Sequence, residues 1–322
     1  MVYCTLFDSN YILKGLAMYK SLMAQASNSL LYVMAFDDSC YKKLQDLNLP
    51  NLVVDNISSI EDDTFIRLKN ERSRAEYCWT CGPSVICFFL SKYSLQEIIY
   101  LDSDLFFLGD PQIALDEIAG CSVAITEQGI SERSASLLGR YCVQYLFFKN
   151  DTNGLAALEW WRDSCIKWCY ARVEDGKFGD QKYLDQFPTK FNNVYVVKNL
   201  GVGIAPWNMF RYKFNQDTLT ISYKNISYPV VFFHMHGLGF SIENNLLIVN
   251  VDSYLPQSIR KAYFNDYAEI VKEIASDYLG YSIFDYKIIG RSWFHRAGFV
   301  IKEHIRTNKC LRFLYSRIKH NK

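Results

Sequence analysis

No run of about 18 consecutive apolar residues occurs in this chain, so no segment is expected to cross a membrane as a helix. The opening MVYCTLFDSN lacks a basic stretch followed by a long apolar core, and no secretory leader is expected from it. Low-complexity stretches and internal repeats are missing too, which leaves no place for a flexible linker or a repeat array. A net charge of +1 means that whole-molecule charge points to no class of partner. The ten cysteines are scattered over 322 residues, which suits reduced thiols and a cytoplasmic protein better than a disulfide framework. Cys78-Trp79-Thr80-Cys81 has the spacing of half a zinc or redox site, but Cys165 and Cys169 are spaced for one helical face and do not complete it. Two buried thiols flanking a tryptophan are the expectation.

What is present is ordinary globular material, 50% hydrophobic and 21% charged. A chain of this length fits one large domain with an appendage. The charge is unevenly placed: residues 287–322 hold ten Lys or Arg against one acid, Glu303. Apolar runs at 2–7, 30–36, 52–54 and 97–101 read as strands, and 11–24, 41–47 and 74–93 have helical spacing, with Pro83 as a kink or restart. That alternation predicts a mostly parallel α/β sheet covered on both faces. Further strands are expected at 122–125, 142–148, 194–197, 219–223 and 229–233, and helices at 155–170 and 180–187. The boundary is placed near 250, giving a catalytic domain over 1–250 and a helical, basic extension over 251–322, with helices at 257–279 and 297–318.

One strand carries a problem. The run IIYLDSDLFFL, residues 98–108, sets Asp102 and Asp104 one residue apart in an apolar segment. Burying one carboxylate is costly, and two close together also repel. In an extended backbone, residues two apart share a face, so the pair can converge while Ser103 turns away. Ligands of open α/β sheets bind beyond the carboxyl ends of the strands. A divalent cation with hard oxygen ligands, Mg²⁺ or Mn²⁺, would resolve the repulsion. A strand-end aspartate capping a turn is the alternative.

YLDSDLFFLGDP, preceded by Arg74 and a helix, resembles the D-x-D region of nucleotide-sugar-dependent glycosyltransferases of the GT-A fold, in pattern the family 8 (galactosyltransferase and glycogenin-like) enzymes. The resemblance covers residues 2–239. It implies a Rossmann-like, mostly parallel central sheet flanked by helices. Cys4-Thr5-Leu6-Phe7-Asp8-Ser9-Asn10-Tyr11 resembles the first strand and loop, implying that Thr5 and Asp8 hydrogen-bond the nucleotide while Tyr11 stacks. Arg74 matches a basic residue that in the family lies near the diphosphate or the acidic pair. Phe178-Gly179-Asp180-Gln181-Lys182-Tyr183-Leu184-Asp185 resembles in part the helix that faces the transferred sugar, with Lys182 and Asp185 departing from it. Val231-Phe232-Phe233-His234-Met235-His236-Gly237 resembles the strand supplying a third metal ligand, His234, with His236 left possible. A second departure is Cys142-Val143-Gln144, where the family has a small Asn-x-Gly element.

The resemblance implies a metal-dependent transferase that moves a sugar from a nucleotide diphosphate, a UDP-sugar, to a glycan or lipid-linked acceptor in surface polysaccharide synthesis. Asp102, Asp104, His234 and His236 are the candidate ligands of Mn²⁺ or Mg²⁺. Thr5, Asp8, Tyr11, Arg74, Asp102, Ser103, Trp207, Asn208 and Gly237 are candidates for the donor, and Asp180, Gln181 and Asp185 for catalysis. If configuration is inverted, Asp180, Asp185 or Glu127 could serve as base. The basic, aromatic tail, including Arg291, Trp293, Arg306 and Phe313, can lie on an anionic membrane, placing the protein on the inner face of the cell membrane. No nucleic-acid reader motif accompanies that charge. A sugar nucleotidyltransferase would want a Gly-rich phosphate loop after the first strand, which is missing. A D-x-D phosphatase would want its pair after the first strand, and a carbohydrate-binding protein would have no need of acids and histidine together.

Overall fold

Five of the six residues of β1 (Val2–Phe7) are buried, as a strand covered on both faces requires. The chain continues through α1 (Ile12–Gln25), β2 (Leu30–Ala35), α2 (Asp38–Leu47), β3 (Leu52–Asn56), α3 (Asp63–Glu71), α4 (Arg74–Lys92) and β4 (Glu97–Leu101). Next come β5 (Leu105–Phe107), α5 (Gln112–Glu117), β6 (Val123–Glu127), α6 (Glu132–Leu138), β7 (Tyr141–Lys149) and α7 (Thr152–Lys167). They are followed by α8 (Phe187–Lys190), β8 (Val194–Val197), β9 (Val202–Ile204), the meander β10 (Lys213–Asn215), β11 (Thr220–Tyr223) and β12 (Ile226–Pro229), and β13 (Phe232–His234). The computed structural model describes residues 1–251, 259 and 263–290. It divides into two compact units, 1–236 and 237–322.

Helix starts are marked chemically. Asp37, Asp62 and Asp151 each accept a backbone N–H from the first turn of α2, α3 and α7, satisfying donors that a helix leaves orphaned. Ser73 and Glu76 cap α4 reciprocally. α4 then runs as one helix through Pro83, so the restart does not occur. Val85, Ile86 and Phe89 beyond the proline share a core with Leu158 and Trp161 of α7, and such packing outweighs local propensity.

The first unit is built on a seven-stranded sheet of order β3-β2-β1-β4-β7-β6-β8. β3, β2, β1 and β4 are parallel, β7 runs against both its neighbours, and β6 and β8 are parallel. This is the mostly parallel α/β sheet that the sequence predicts. On one face Cys4, Leu6, Met34, Ile98 and Tyr100 join the α4–α7 core. The chain builds outward from β1 to β3, then returns to β4 on the other side, so the order reverses between β1 and β4. A crevice opens at such a point, beyond the carboxyl ends of the strands.

A second sheet, β5-β13-β9, meets the first there. The sequence predicts a strand ending at 101 with the acidic pair in extended backbone just beyond it. Instead the chain turns at 102–104, with Leu105 N–H reaching Asp102 O at 3.4 Å, and resumes as β5. The cause is a change of ladder. Leu101 still pairs with Tyr145 of β7, whereas Leu105 pairs with His234 of β13. A chain that leaves one sheet for another has to bend between them.

The second unit holds β14 (Leu238–Glu243), β15 (Leu246–Val251), α9 (Asn265–Asp277) and β16 (Asp285–Gly290). Asn244 and Asn245, both at positive φ, form the two-residue turn between β14 and β15, a conformation asparagine tolerates. β15 and β16 are parallel, as a connection carrying a helix allows. α9 falls inside the predicted helix at 257–279. The predicted helix at 297–318 and the basic, aromatic tail lie outside the described residues.

Candidate active site

The register of the second sheet assembles an acid–histidine cluster. Because His234 pairs with Leu105 and Met235 N–H donates to Asp104 O at 2.8 Å, the His234 ring stands beside the turn. Its Nε2 lies 2.9 Å from Asp104 Oδ1 and 3.8 Å from Asp102 Oδ2. On the far side, Nδ1 lies 2.8 Å from Gln144 Oε1. Gln144 belongs to β7, and its backbone O accepts Asp102 N–H at 3.1 Å, so one residue braces both the turn and the ring. Gly203, at φ +139°, leaves room for that amide, since a Cβ there would stand 2.6 Å from Gln144 Nε2. Asp104 and His234 are buried, and His236 is exposed.

The charges are unevenly matched. Desolvation pushes the Asp102 carboxyl up to about 6, with His234 pulling down and Asp104 pushing up. Burial also works against the Asp104 charge, but His234 holds it well below the usual carboxylate range. Burial likewise opposes the His234 imidazolium, yet Asp104 outweighs it and raises its pKa. Asp180, 8% exposed, is pushed up to about 7 by desolvation and then by the charge of Asp102. Two buried carboxylates, Asp104 and Asp180, thus flank the half-buried Asp102, and His234 is the cation in contact with the pair.

A different cluster lies at the ends of β1 and β2. Asp8 accepts the N–H groups of Asn10 and Tyr11 at 2.9 and 3.1 Å, and its other oxygen takes Arg74 Nε. Arg74 also reaches Asp37 at 2.8 Å. Asp37 in turn accepts from the Ser9 and Cys40 backbones at 3.1 and 2.8 Å. Arg74 is therefore held between two acids that already have other donors. Tyr11, 43% exposed, forms the lip of this region. Thr5 is fully buried in β1 with its hydroxyl unpaired, and Ser103 is buried in the turn.

Other candidates have their polar atoms engaged. Trp207 follows β9, donates Nε1–H to Gln128 O at 2.9 Å, and sets its ring edgewise against His234 and His236 at 5.2 and 5.4 Å. Asn208 accepts Ala205 N–H at 2.9 Å and donates to Gln128 O and Gly203 O at 2.9 and 2.8 Å; it shapes the loop that carries Trp207. Gln181 donates to Leu138 O at 2.9 Å. Asp185 accepts Arg140 N–H and Lys182 Nζ, each at 2.7 Å. Gln181 thus fastens the turn after Asp180 to the end of α6, and Asp185 fastens it to the residue before β7. Gly237, at φ +74°, opens the second unit.

No family model matches the chain. It is 32% identical over 245 residues to the protein YfnF of Bacillus subtilis (strain 168), a match spanning 73% of this chain and 80% of YfnF. The chain belongs to the YfnF family. YfnD of the same organism is 29% identical over 247 residues, with 75% of this chain and 79% of YfnD covered. Among solved structures, the galactosyltransferase LgtC in complex with donor and acceptor sugar analogues matches 84% of this chain and 95% of its own, with a TM-score of 0.52 at 14% identity. An active-site mutant of LgtC gives 0.53 at 13% identity, with the same coverage. The fold is the GT-A glycosyltransferase fold.

In this YfnF-family chain, the ligand atoms of Asp104, His234 and His236 lie within 4.8 Å of one another, as do those of Asp102, Cys142 and His234. Carboxylate oxygens and imidazole nitrogens fit a divalent cation of the Mn²⁺ kind, and imidazole suits Mg²⁺ less well. Burial raises the pKa of the Cys142 thiol, which keeps it protonated and a poor ligand. Gln144 accepting from Nδ1–H would leave Nε2 as the nitrogen that faces the acids, the outer-shell arrangement common to ligating histidines. Cys142 and Gln144 belong to this cluster, and sequence reasoning did not assign them to it. The signal for Gln144 was present as a departure from a small-residue pattern, and its consequence depends on β13.

Proposed function

We propose that the protein is a glycosyltransferase that moves a sugar from a nucleotide diphosphate donor, a UDP-sugar, to a hydroxyl of a glycan or lipid-linked acceptor. The observation that carries this reading is the meeting of Asp102, Asp104, His234 and His236 where two sheets join, beyond the carboxyl end of β4. Buried acids in excess of their cations are costly when empty and useful around a divalent ion. The donor and acceptor sugar analogues bound by LgtC agree with the same reading.

Transfer breaks the bond between the anomeric carbon and a phosphate oxygen, leaving positive charge on the sugar and an extra negative charge on the diphosphate. A cation at this site would supply Lewis-acid stabilisation of the departing oxygens. Asp102, Asp104 and His234 would hold it, with Gln144 fixing the ring. Asp8, Tyr11 and Arg74 would frame the nucleotide side above the buried Thr5, and Tyr11, with Lys14 on one ring face, would stack through the other. Asp180 would lie under the sugar. A carboxyl near neutral pKa can change protonation state with little cost, and its charge also favours a cationic sugar. Gln181 and Asp185 keep that turn in place.

The test is incubation with a panel of nucleotide sugars and Mn²⁺, scored by slow release of nucleoside diphosphate. Selective release from one donor, abolished by chelation, is expected. If the panel yields no release and no donor binding, the transferase reading is lost.

A further inference from the structure

Lys14 lies in the first turn of α1, three residues past Tyr11, and is only 6% exposed. A buried ammonium is normally held by a carboxylate or by several carbonyls, because its desolvation has to be offset. Among the described residues, no hydrogen-bond acceptor or ion-pair partner holds Lys14 Nζ. What it touches is the face of Tyr11, 4.2 Å from the ring centroid, and what it feels is the field of Asp104. Tyr11 in turn feels Asp104, Asp8 and Asp102. The ammonium thus stands between the nucleotide-side lip and the acid cluster.

We propose that Lys14 is the fixed cation of the donor site, its ammonium positioned to contact the diphosphate beside the metal-binding acids. The inference rests on the glycosyltransferase reading and adds a residue to it. As the anomeric C–O bond breaks, its electron pair goes to the phosphate oxygen and the diphosphate gains one negative charge. A preorganised ammonium favours that state over the intact donor. A lysine that only neutralised Asp104 would have no such preference.

The two roles are separated by titration calorimetry on the full chain with Mn²⁺ alone and with UDP in saturating Mn²⁺. Lys14→Met keeps the stem and removes the charge. UDP affinity is expected to fall about 10- to 100-fold, the range of a lost charge-assisted hydrogen bond. Mn²⁺ alone should bind as tightly as in the native protein or more so, because a like charge near Asp104 has gone. Lys14→Arg should keep UDP affinity within about fivefold. UDP binding unchanged in Lys14→Met overturns the proposal, as does a parallel loss of Mn²⁺ and UDP in Lys14→Met and Lys14→Arg together. If the native protein binds no nucleoside diphosphate with Mn²⁺, the transferase reading itself fails, a result distinct from either.

Discussion

Two acidic clusters stand at the carboxyl edge of the same sheet, and they are balanced in opposite ways. Asp8 and Asp37 share Arg74 and accept several backbone N–H groups, so every negative charge has donors. Asp102, Asp104 and Asp180 have one imidazole in direct contact, that of His234, with Lys14 and His236 acting on Asp104 through their field, and desolvation raises two of the three carboxyls toward neutrality. The first arrangement is what a loop junction needs in order to hold its shape. The second stores repulsion that a bound cation would relieve. An acid is therefore informative about chemistry when its charge is left over.

The sharpest way to break this contrast is Asp104→Asn. It removes the carboxylate nearest His234 while keeping its shape, so the fold should persist and Mn²⁺ binding should be lost. Transfer is expected to drop at least about 1,000-fold, since several kcal/mol of leaving-group stabilisation goes with the ion. Nucleoside diphosphate release and Mn²⁺ calorimetry would show it, and native activity in this variant would remove the metal role. Gln144→Leu is the next step down. The ring of His234 loses its brace, and Mn²⁺ affinity should fall about 10- to 100-fold, as for outer-shell partners of other ligating histidines. Unchanged Mn²⁺ affinity would show that Trp207 packing alone orients the ring.

The same contrast explains what was legible in the sequence. β4 and the acidic pair are written in contiguous residues, and the strand with His234 carries its own local pattern. The turn at Asp102–Ser103–Asp104 was legible only as the alternative to an extended pair, because the ladder that pulls Leu105 away belongs to Phe232–His234, about 130 residues later in the chain. Asp185 and Asn208 look like chemistry by residue type, yet their hydrogen-bonding capacity goes to Arg140 N–H, Lys182 and the loop after β6. A polar residue does not reveal its partner until the chain closes on itself. Lys14 was passed over for the converse reason: a lysine in an amphipathic helix reads as solvated, and only its burial marks it out.

A pH experiment on the metal-free protein separates the clusters by sign. The Asp180 carboxyl has a folded-state pKa of about 7 against an ordinary 3.8. Below about pH 3 it is protonated in both states and costs nothing. Between there and pH 7 the unfolded chain ionises first, so stability is lost as pH rises through that window. Asp180→Asn removes the ionisation, and at pH 8 with chelator it should be more stable than the native chain by on the order of 3 kcal/mol, with almost no difference at pH 4. Urea melts at the two pH values would show it. A difference that stays the same at both would mean that Asp180 is not a desolvated acid.

Arg74→Met tests the balanced cluster and should give the smallest effect. Asp8 and Asp37 keep their backbone donors, and Arg74 itself is largely exposed, with a side chain 55% accessible. Partly exposed ion pairs contribute little, so the expected loss of stability is about 1 kcal/mol. Depressed by hydrogen bonds against its desolvation, the Asp37 pKa lies below the usual carboxylate value; the part of that depression owed to Arg74 is lost as pH falls through the acid range. Mn²⁺ affinity should be unaltered, because Asp102, Asp104 and His234 make no bond to Arg74. The Michaelis constant for the donor should rise several-fold, since Asp8 and the Tyr11 lip are no longer tethered to α4. A change in Mn²⁺ affinity as large as that of Gln144→Leu would mean that the two clusters are one, and that the division of the edge into a balanced and an unbalanced half is mistaken.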